Sequence, residues 1–196
     1  MFDTVAARRM MVDGQVRTAD VTDPELLAAM LTVPRERFVP AALADQAYRD
    51  GDIGIGANDR VLDVGCGTGY SSAVLARIAA AVVALEEDEA LARLAKDALK
   101  ASGAGNVALV TAALTAGSPA GAPYDVILLN GATEVPPQAL GRQLKPDGRL
   151  AAIFGRGPTG KAMIYRQIEG QLVGRPAFDA AAPVLPGFVA PPEFVF

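Results

Sequence analysis

The stretch Arg60-Val61-Leu62-Asp63-Val64-Gly65-Cys66-Gly67-Thr68-Gly69-Tyr70 constrains this chain more than any other. Its opening, RVLDV, is too short for a helix and rich in β-branched residues, which marks a buried strand, and three alternating glycines end it. Beyond Gly69 the apolar residues fall at Val74, Leu75 and Ile78, the spacing of one helical face. The order is therefore strand, glycine loop, helix. Glycines there permit positive φ and the close approach of a ligand, and the new helix directs its free N–H groups at the bound molecule. Such a loop suits a nucleotide-like ligand.

The rest of the chain repeats the alternation. Strands are predicted at Arg60 to Val64, Ala81 to Leu85, Val107 to Thr111, Tyr124 to Leu129 and Leu150 to Phe154, with helices at Ala90 to Ser102, stopped by Gly103, and at Pro137 to Leu144. Ala162 to Ile168 and Leu172 to Ala177 flank Glu169-Gly170-Gln171 and read as an antiparallel hairpin at one edge of the sheet, and the proline-rich tail from Ala180 reads as irregular. Ahead of the core, Val5 to Val16 and the segment after Thr22-Asp23-Pro24-Glu25 are predicted to be helical. Val33-Pro34-Arg35-Glu36-Arg37-Phe38-Val39-Pro40 breaks that second helix, and Ala41 to Tyr48 offers one more helical turn. The fold class is α/β: a three-layer, mostly parallel Rossmann-like sheet with an antiparallel C-terminal hairpin and an N-terminal helical appendage. Residues 1–57 form the appendage, 58–160 the cofactor-binding core, and 161–196 the hairpin and tail that complete the sheet.

Composition narrows the chemistry. At 196 residues the chain is long enough for one domain with a sizeable core. It contains no histidine, which removes the commonest general base and metal ligand and excludes Ser-His-Asp and Cys-His mechanisms. Its single cysteine, Cys66, cannot form an internal disulfide and lies near nothing basic enough to activate it. A net charge of −4 argues against nucleic acid as a partner, and no run is apolar enough for a membrane span. With no signal-peptide h-region at the start, the expectation is a cytoplasmic protein, a monomer or weak dimer. No metal is expected.

Spacing then separates the cofactors. A dinucleotide loop places a small residue where Tyr70 stands, so a nicotinamide cofactor fits poorly. The pattern Asp63-x-Gly65-x-Gly67-x-Gly69 resembles instead the first motif of Rossmann-like methyltransferases that bind S-adenosylmethionine. Glu86, at the end of the second strand, lies at the distance from Gly65 where an acid reaches ribose hydroxyls.

Over nearly its whole length the sequence resembles the protein-L-isoaspartate O-methyltransferase family. The resemblance rests on Met11-Val12-Asp13-Gly14-Gln15-Val16-Arg17, on VPRERFVP at 33–40 followed by Ala47-Tyr48, on DVGCGTGYSSAVLA, on Tyr124-Asp125, and on Leu144-Lys145-Pro146-Asp147-Gly148-Arg149-Leu150. It implies S-adenosylmethionine as cofactor, S-adenosylhomocysteine as product, peptide or protein substrates that bear a carboxylate, and Asp63, Gly65, Gly67, Gly69 and Glu86 as cofactor contacts. The intervening Cys66, Thr68 and Tyr70, together with Asn130 after the fourth strand, complete the expected binding set. Two departures stand out. The acid that family members carry just after strand three, near the adenine, is replaced by Thr111-Ala112-Ala113-Leu114. The polar segment and helix that the family places between the Ala-Tyr pair and the first core strand, and that help form the substrate pocket, have only Arg49 to Asp59 in their place. Eleven residues are too few for a loop and a helix of about ten. Either the element is lost or residues 51–57 mark an artificial join, and the repeated Ile53-Gly54-Ile55-Gly56 fits a join.

The reaction implied by the resemblance suits a chain without histidine. A substrate carboxylate, with a pKa of about 4, is ionised at neutral pH and attacks without a general base, leaving positioning as the protein's contribution. Arg17, Arg35, Arg37, Arg156 and Lys161 are candidates to hold that carboxylate, and none is singled out as catalytic. Two alternatives stay open: a methyltransferase of this fold with another substrate, and a non-catalytic module that binds S-adenosylmethionine.

Overall fold

The computed structural model describes residues 3–19, 21–38 and 55–191. The predicted helical turn at Ala41 to Tyr48, and residues 49–54 of the short connection, lie outside the described residues. Seven strands form one sheet in the order β3-β2-β1-β4-β5-β6-β7. They are β1 (Arg60–Val64), β2 (Ala81–Glu86), β3 (Val107–Thr111), β4 (Tyr124–Thr133), β5 (Leu144–Phe154), β6 (Lys161–Ile168) and β7 (Gln171–Asp179). β1 to β5 run parallel, and β6 pairs antiparallel with β5 and β7 antiparallel with β6, the C-terminal hairpin that the sequence predicts. The order reverses beside β1, which pairs with β2 on one side and β4 on the other. Open α/β sheets bind ligands beyond the carboxyl ends of the strands at such a point.

Alternation along β1 divides the core in two. Val61 packs with the N-terminal helices and with α3 (Tyr70–Leu75) and α4 (Glu89–Ser102), whereas Leu62 and Val64 pack on the opposite face with Leu85, Ile127 and Leu140. Asp63 shares the Val61 face, so β1 delivers its carboxylate to the start of α3. The long helices start and stop where their residues dictate: Asp23 and Asp88 accept N–H groups of the first turns of α2 (Pro24–Thr32) and α4, and Gly103, at φ 71°, ends α4 in the left-handed region. At the hairpin tip Glu169 and Gly170 both have positive φ, matching the right-handed twist of β6 and β7.

The N-terminal segment is helical but not uniform. The α-helix α1 (Thr4–Met11) runs directly into a π-helical turn, Val12–Val16. Met11, Val12, Val16, Leu27 and Val33 are buried against the core. Arg8 ties α1 to Glu36 through two bonds, at 2.9 and 3.2 Å, and to the last turn of α2 through the Leu31 carbonyl.

Three predicted boundaries are corrected. The helix expected over Pro137 to Leu144 shrinks to α5, Gln138–Gly141, and β5 begins at Leu144 rather than Leu150. The cause is a non-local pairing of Tyr124 with Leu144, held by Lys145 Nζ donating to both oxygens of Asp125 at 2.8 Å. β4 runs on to Thr133 rather than stopping at Leu129, because after a register shift Ala132 and Thr133 pair with Ile153 and Phe154. The tail forms no regular element over 180–191 beyond one bridge, between Val184 and Ala132. It nonetheless lies along the end of β4: Ala132 N donates to the Pro183 carbonyl, Leu185 N to the Ala132 carbonyl, and Glu134 N to the Phe188 carbonyl.

The glycine loop enters α3 under a packing constraint. Gly69 has φ 88°, and a Cβ there would lie 3.1 Å from Leu99 Cγ and 3.3 Å from Ala95 Cβ. Gly69→Ala should therefore lower unfolding stability by about 2 kcal/mol or more, from left-handed strain plus overpacking against α4, read as a shifted urea midpoint without added ligand.

Candidate cofactor site

The loop after β1 is pinned to the end of β2. Gly65 N and Cys66 N both donate to the Leu85 carbonyl, at 2.9 and 3.1 Å, and Gly69 N closes a turn onto the Cys66 carbonyl at 2.8 Å. Gly65, Gly67 and Gly69 all have positive φ, which only glycine adopts without strain. A Cβ on Gly67 would meet nothing within 4 Å, so open space faces the middle of the loop. Glu86, buried, supports the loop from below. Its Oε2 accepts Gly67 N at 2.8 Å, and its Oε1 accepts Glu87 N and Asp88 N at 3.0 and 3.1 Å. Of the roughly four lone-pair sites of a carboxylate, three are taken and one at Oε2 is left for a hydroxyl.

Asp63 is fully buried. Its Oδ2 accepts the hydroxyls of Ser71 and Ser72, each at 2.6 Å, and its Oδ1, also buried, has no hydrogen-bond partner among the described residues. Burial pushes the Asp63 carboxyl up to about 6; the two serine hydroxyls partly offset that rise and the nearby Glu86 adds to it. Asn130, exposed where β4 shifts register between Leu128 and Ala132, donates from Nδ2 to Ser71 Oγ at 3.0 Å. A relay Asn130–Ser71–Asp63 thus crosses the gap between β4 and α3. The serines were not among the predicted site residues, although their place directly after the glycine loop was the available signal.

The remaining predicted residues divide. Cys66 is buried; burial first, then the carboxylates of Asp63 and Glu86, raises its thiol pKa far above the usual range, so it is no nucleophile. Thr68 and Tyr70 turn toward the N-terminal segment: the Thr68 hydroxyl donates to the Phe38 carbonyl, the Phe38 ring meets Tyr70 edge-on at 5.6 Å, and the Arg35 guanidinium sits 4.8 Å above the Tyr70 ring. Arg35 and Phe38 thus brace the outer side of the glycine loop. The tail also closes on the loop, since a Cβ on Gly65 or Gly131 would run into the Leu185 side chain, at 3.1 and 2.6 Å.

The structure sorts the predicted cations as well. Arg17 bonds Asp13, Arg35 stacks on Tyr70, Arg156 forks onto Glu134 at 2.6 and 3.1 Å, and Lys161 bonds Asp179. Arg37 is exposed beside Phe38 and makes no ion pair among the described residues.

Comparison with known proteins agrees with this architecture. The family model for protein-L-isoaspartate(D-aspartate) O-methyltransferase matches residues 53–178. The protein-L-isoaspartate O-methyltransferase of Methylorubrum extorquens (strain PA1) is 40% identical over 185 residues, taking in 84% of this chain and 80% of that protein. That of Methanoregula boonei is 40% identical over 177 residues, covering 80% of each. Both alignments are longer than the stretch of this chain they take in, so these relatives carry residues with no counterpart here. A solved protein-L-isoaspartate O-methyltransferase superposes with a TM-score of 0.77 at 24% identity, over 92% of this chain and 66% of that longer one. A Plasmodium falciparum structure described as a beta-aspartate methyltransferase in complex with S-adenosyl-L-homocysteine does so at 0.73 and 15%, over 94% and 99%. The chain belongs to the protein-L-isoaspartate(D-aspartate) O-methyltransferase family.

Proposed function

We propose that this protein transfers a methyl group from S-adenosylmethionine to the free carboxylate of L-isoaspartyl residues in damaged proteins. Family membership supplies the reaction class, and one observation carries the cofactor: a buried carboxylate, Asp63, with an unpartnered oxygen behind a glycine loop. Bound there, the cofactor supplies a methyl group on a positively charged sulfur, so no protein nucleophile is required. Asp63 then balances the ammonium of its amino acid part, Glu86 accepts from a ribose hydroxyl, and Asn130 and the Gly67 edge of the loop set its orientation. These residues bind and orient, and none moves a proton. The acceptor carboxylate is ionised at neutral pH and needs only to be aligned and shielded from water. Arg37, exposed and without an ion pair among the described residues, is the predicted cation left to meet it. The reading extends to a cytoplasmic enzyme, monomer or weak dimer, acting on peptides and proteins.

The short connection ahead of β1 favours a second reading, the same chemistry on a different carboxylate, because loss of the family's substrate segment would remove what selects isoaspartate. A tritiated methyl donor decides between them. Base-labile label should appear on an isoaspartyl peptide and not on its aspartyl counterpart; equal labelling of the two, or none, overturns the isoaspartyl assignment.

The Asp63 carboxyl gives the cofactor step a pH signature. A cationic group binds more tightly to the ionised form, so affinity should rise with pH while Asp63 deprotonates and level off once it is ionised. Titration calorimetry with S-adenosylhomocysteine should show roughly tenfold tighter binding at pH 7 than at pH 5, and a flat profile for Asp63→Asn.

A further inference from the structure

β2 ends in two successive carboxylates that point to different work. Glu86 folds back under the glycine loop. Glu87 reaches across to the segment leaving β3, where its Oε2 accepts Leu114 N at 3.3 Å. The same segment is held from the other side by Ala112 N donating to the Glu86 carbonyl at 3.2 Å. Glu87 is not spent on capping α4, because the first-turn N–H groups of that helix go to Asp88. Its side chain is exposed, and its Oε1 has no hydrogen-bond partner among the described residues.

This is the segment where the sequence lacks an acid. Thr111-Ala112-Ala113-Leu114 offers no side-chain acceptor beyond one hydroxyl, yet a carboxylate arrives there from the neighbouring strand. The order β3-β2-β1-β4 fixes the direction of a bound nucleoside. With the amino acid part held near Asp63 and Asn130, between β1 and β4, and the ribose at Glu86 on β2, the base extends toward β3. We infer that Glu87 is the residue that reads the purine, accepting the exocyclic amine of adenine in place of the missing acid after β3. An ionised carboxylate offers only acceptors, so it stabilises an amino group at that ring position and repels a carbonyl oxygen there. The inference rests on the S-adenosylmethionine reading and names the base-specificity residue of the same site.

Titration calorimetry on the intact chain tests it with two ligands, S-adenosylhomocysteine and S-inosylhomocysteine, which differ in bearing an amine or a carbonyl at the ring carbon in question. The wild type should prefer the adenosyl ligand by about tenfold or more. Glu87→Ala should bring the two affinities within about twofold of each other, and adding Ala113→Asp to that variant should restore the preference. Glu87→Gln, nearly isosteric and able to satisfy either base through its amide, should narrow the ratio in the same direction and covers the case in which Glu87→Ala fails to fold. A wild type that binds S-adenosylhomocysteine while the Glu87 variants keep the full preference overturns the inference. A wild type that binds neither ligand overturns the cofactor reading instead.

Discussion

A carboxylate buried without a cation is the constraint on which the rest of this structure depends. Burying an unpaired charge is costly, and among the described residues Asp63 is sheltered by two hydroxyls, Ser71 and Ser72. That expense is tolerable because it is confined to one place and compensated around it. β1 is flanked by β2 and β4, both faces of the sheet are covered, and the loop above is tied to Leu85 and Glu86 by backbone N–H groups. The result is a rigid, negatively charged notch at the point where strand order reverses. Burial first, and then the same carboxylate field that suits a cationic ligand, suppress a thiolate at Cys66.

Most of this was legible in the sequence because it is encoded locally. Strand, glycine loop and helix follow one another within residues 60–75; the acid closing β2 and the caps at Asp23, Asp88 and Gly103 are each decided by a few neighbouring residues. What escaped was decided at a distance. Leu144 belongs to a strand because Tyr124 and the Asp125–Lys145 pair hold it there, against a local pattern that continues the preceding helix. The tail from Ala180 has no periodicity of its own and takes its course from the end of β4 and Glu134 just beyond it, to which Pro183, Leu185 and Phe188 are hydrogen bonded. Leu185 therefore packs against Gly65 and Gly131, residues far from it in sequence, a contact that no window of local pattern contains. Glu87 is a similar case: in sequence it is one of four acids in a row, and only the return of β3 alongside β2 gives it a different role from its neighbours.

The two departures from the family pattern affect opposite ends of the site and have different physical consequences. The change after β3 removes one side chain from a scaffold that is otherwise intact, and a carboxylate one strand away can reach the same backbone segment. The connection ahead of β1, Arg49 to Asp59, is too short for the loop and helix that the family pattern places there, a difference of a whole element for which no single side chain substitutes. What stands against the outer side of the loop is the segment Arg35–Phe38, through Thr68 and Tyr70. On the proposed reading, cofactor recognition is over-determined, by the glycine backbone, two acids and a serine–asparagine relay, whereas acceptor recognition falls to few groups. A chain without histidine can sustain this imbalance, because transfer from an activated sulfonium to an ionised carboxylate asks of the protein only that the two be brought into line.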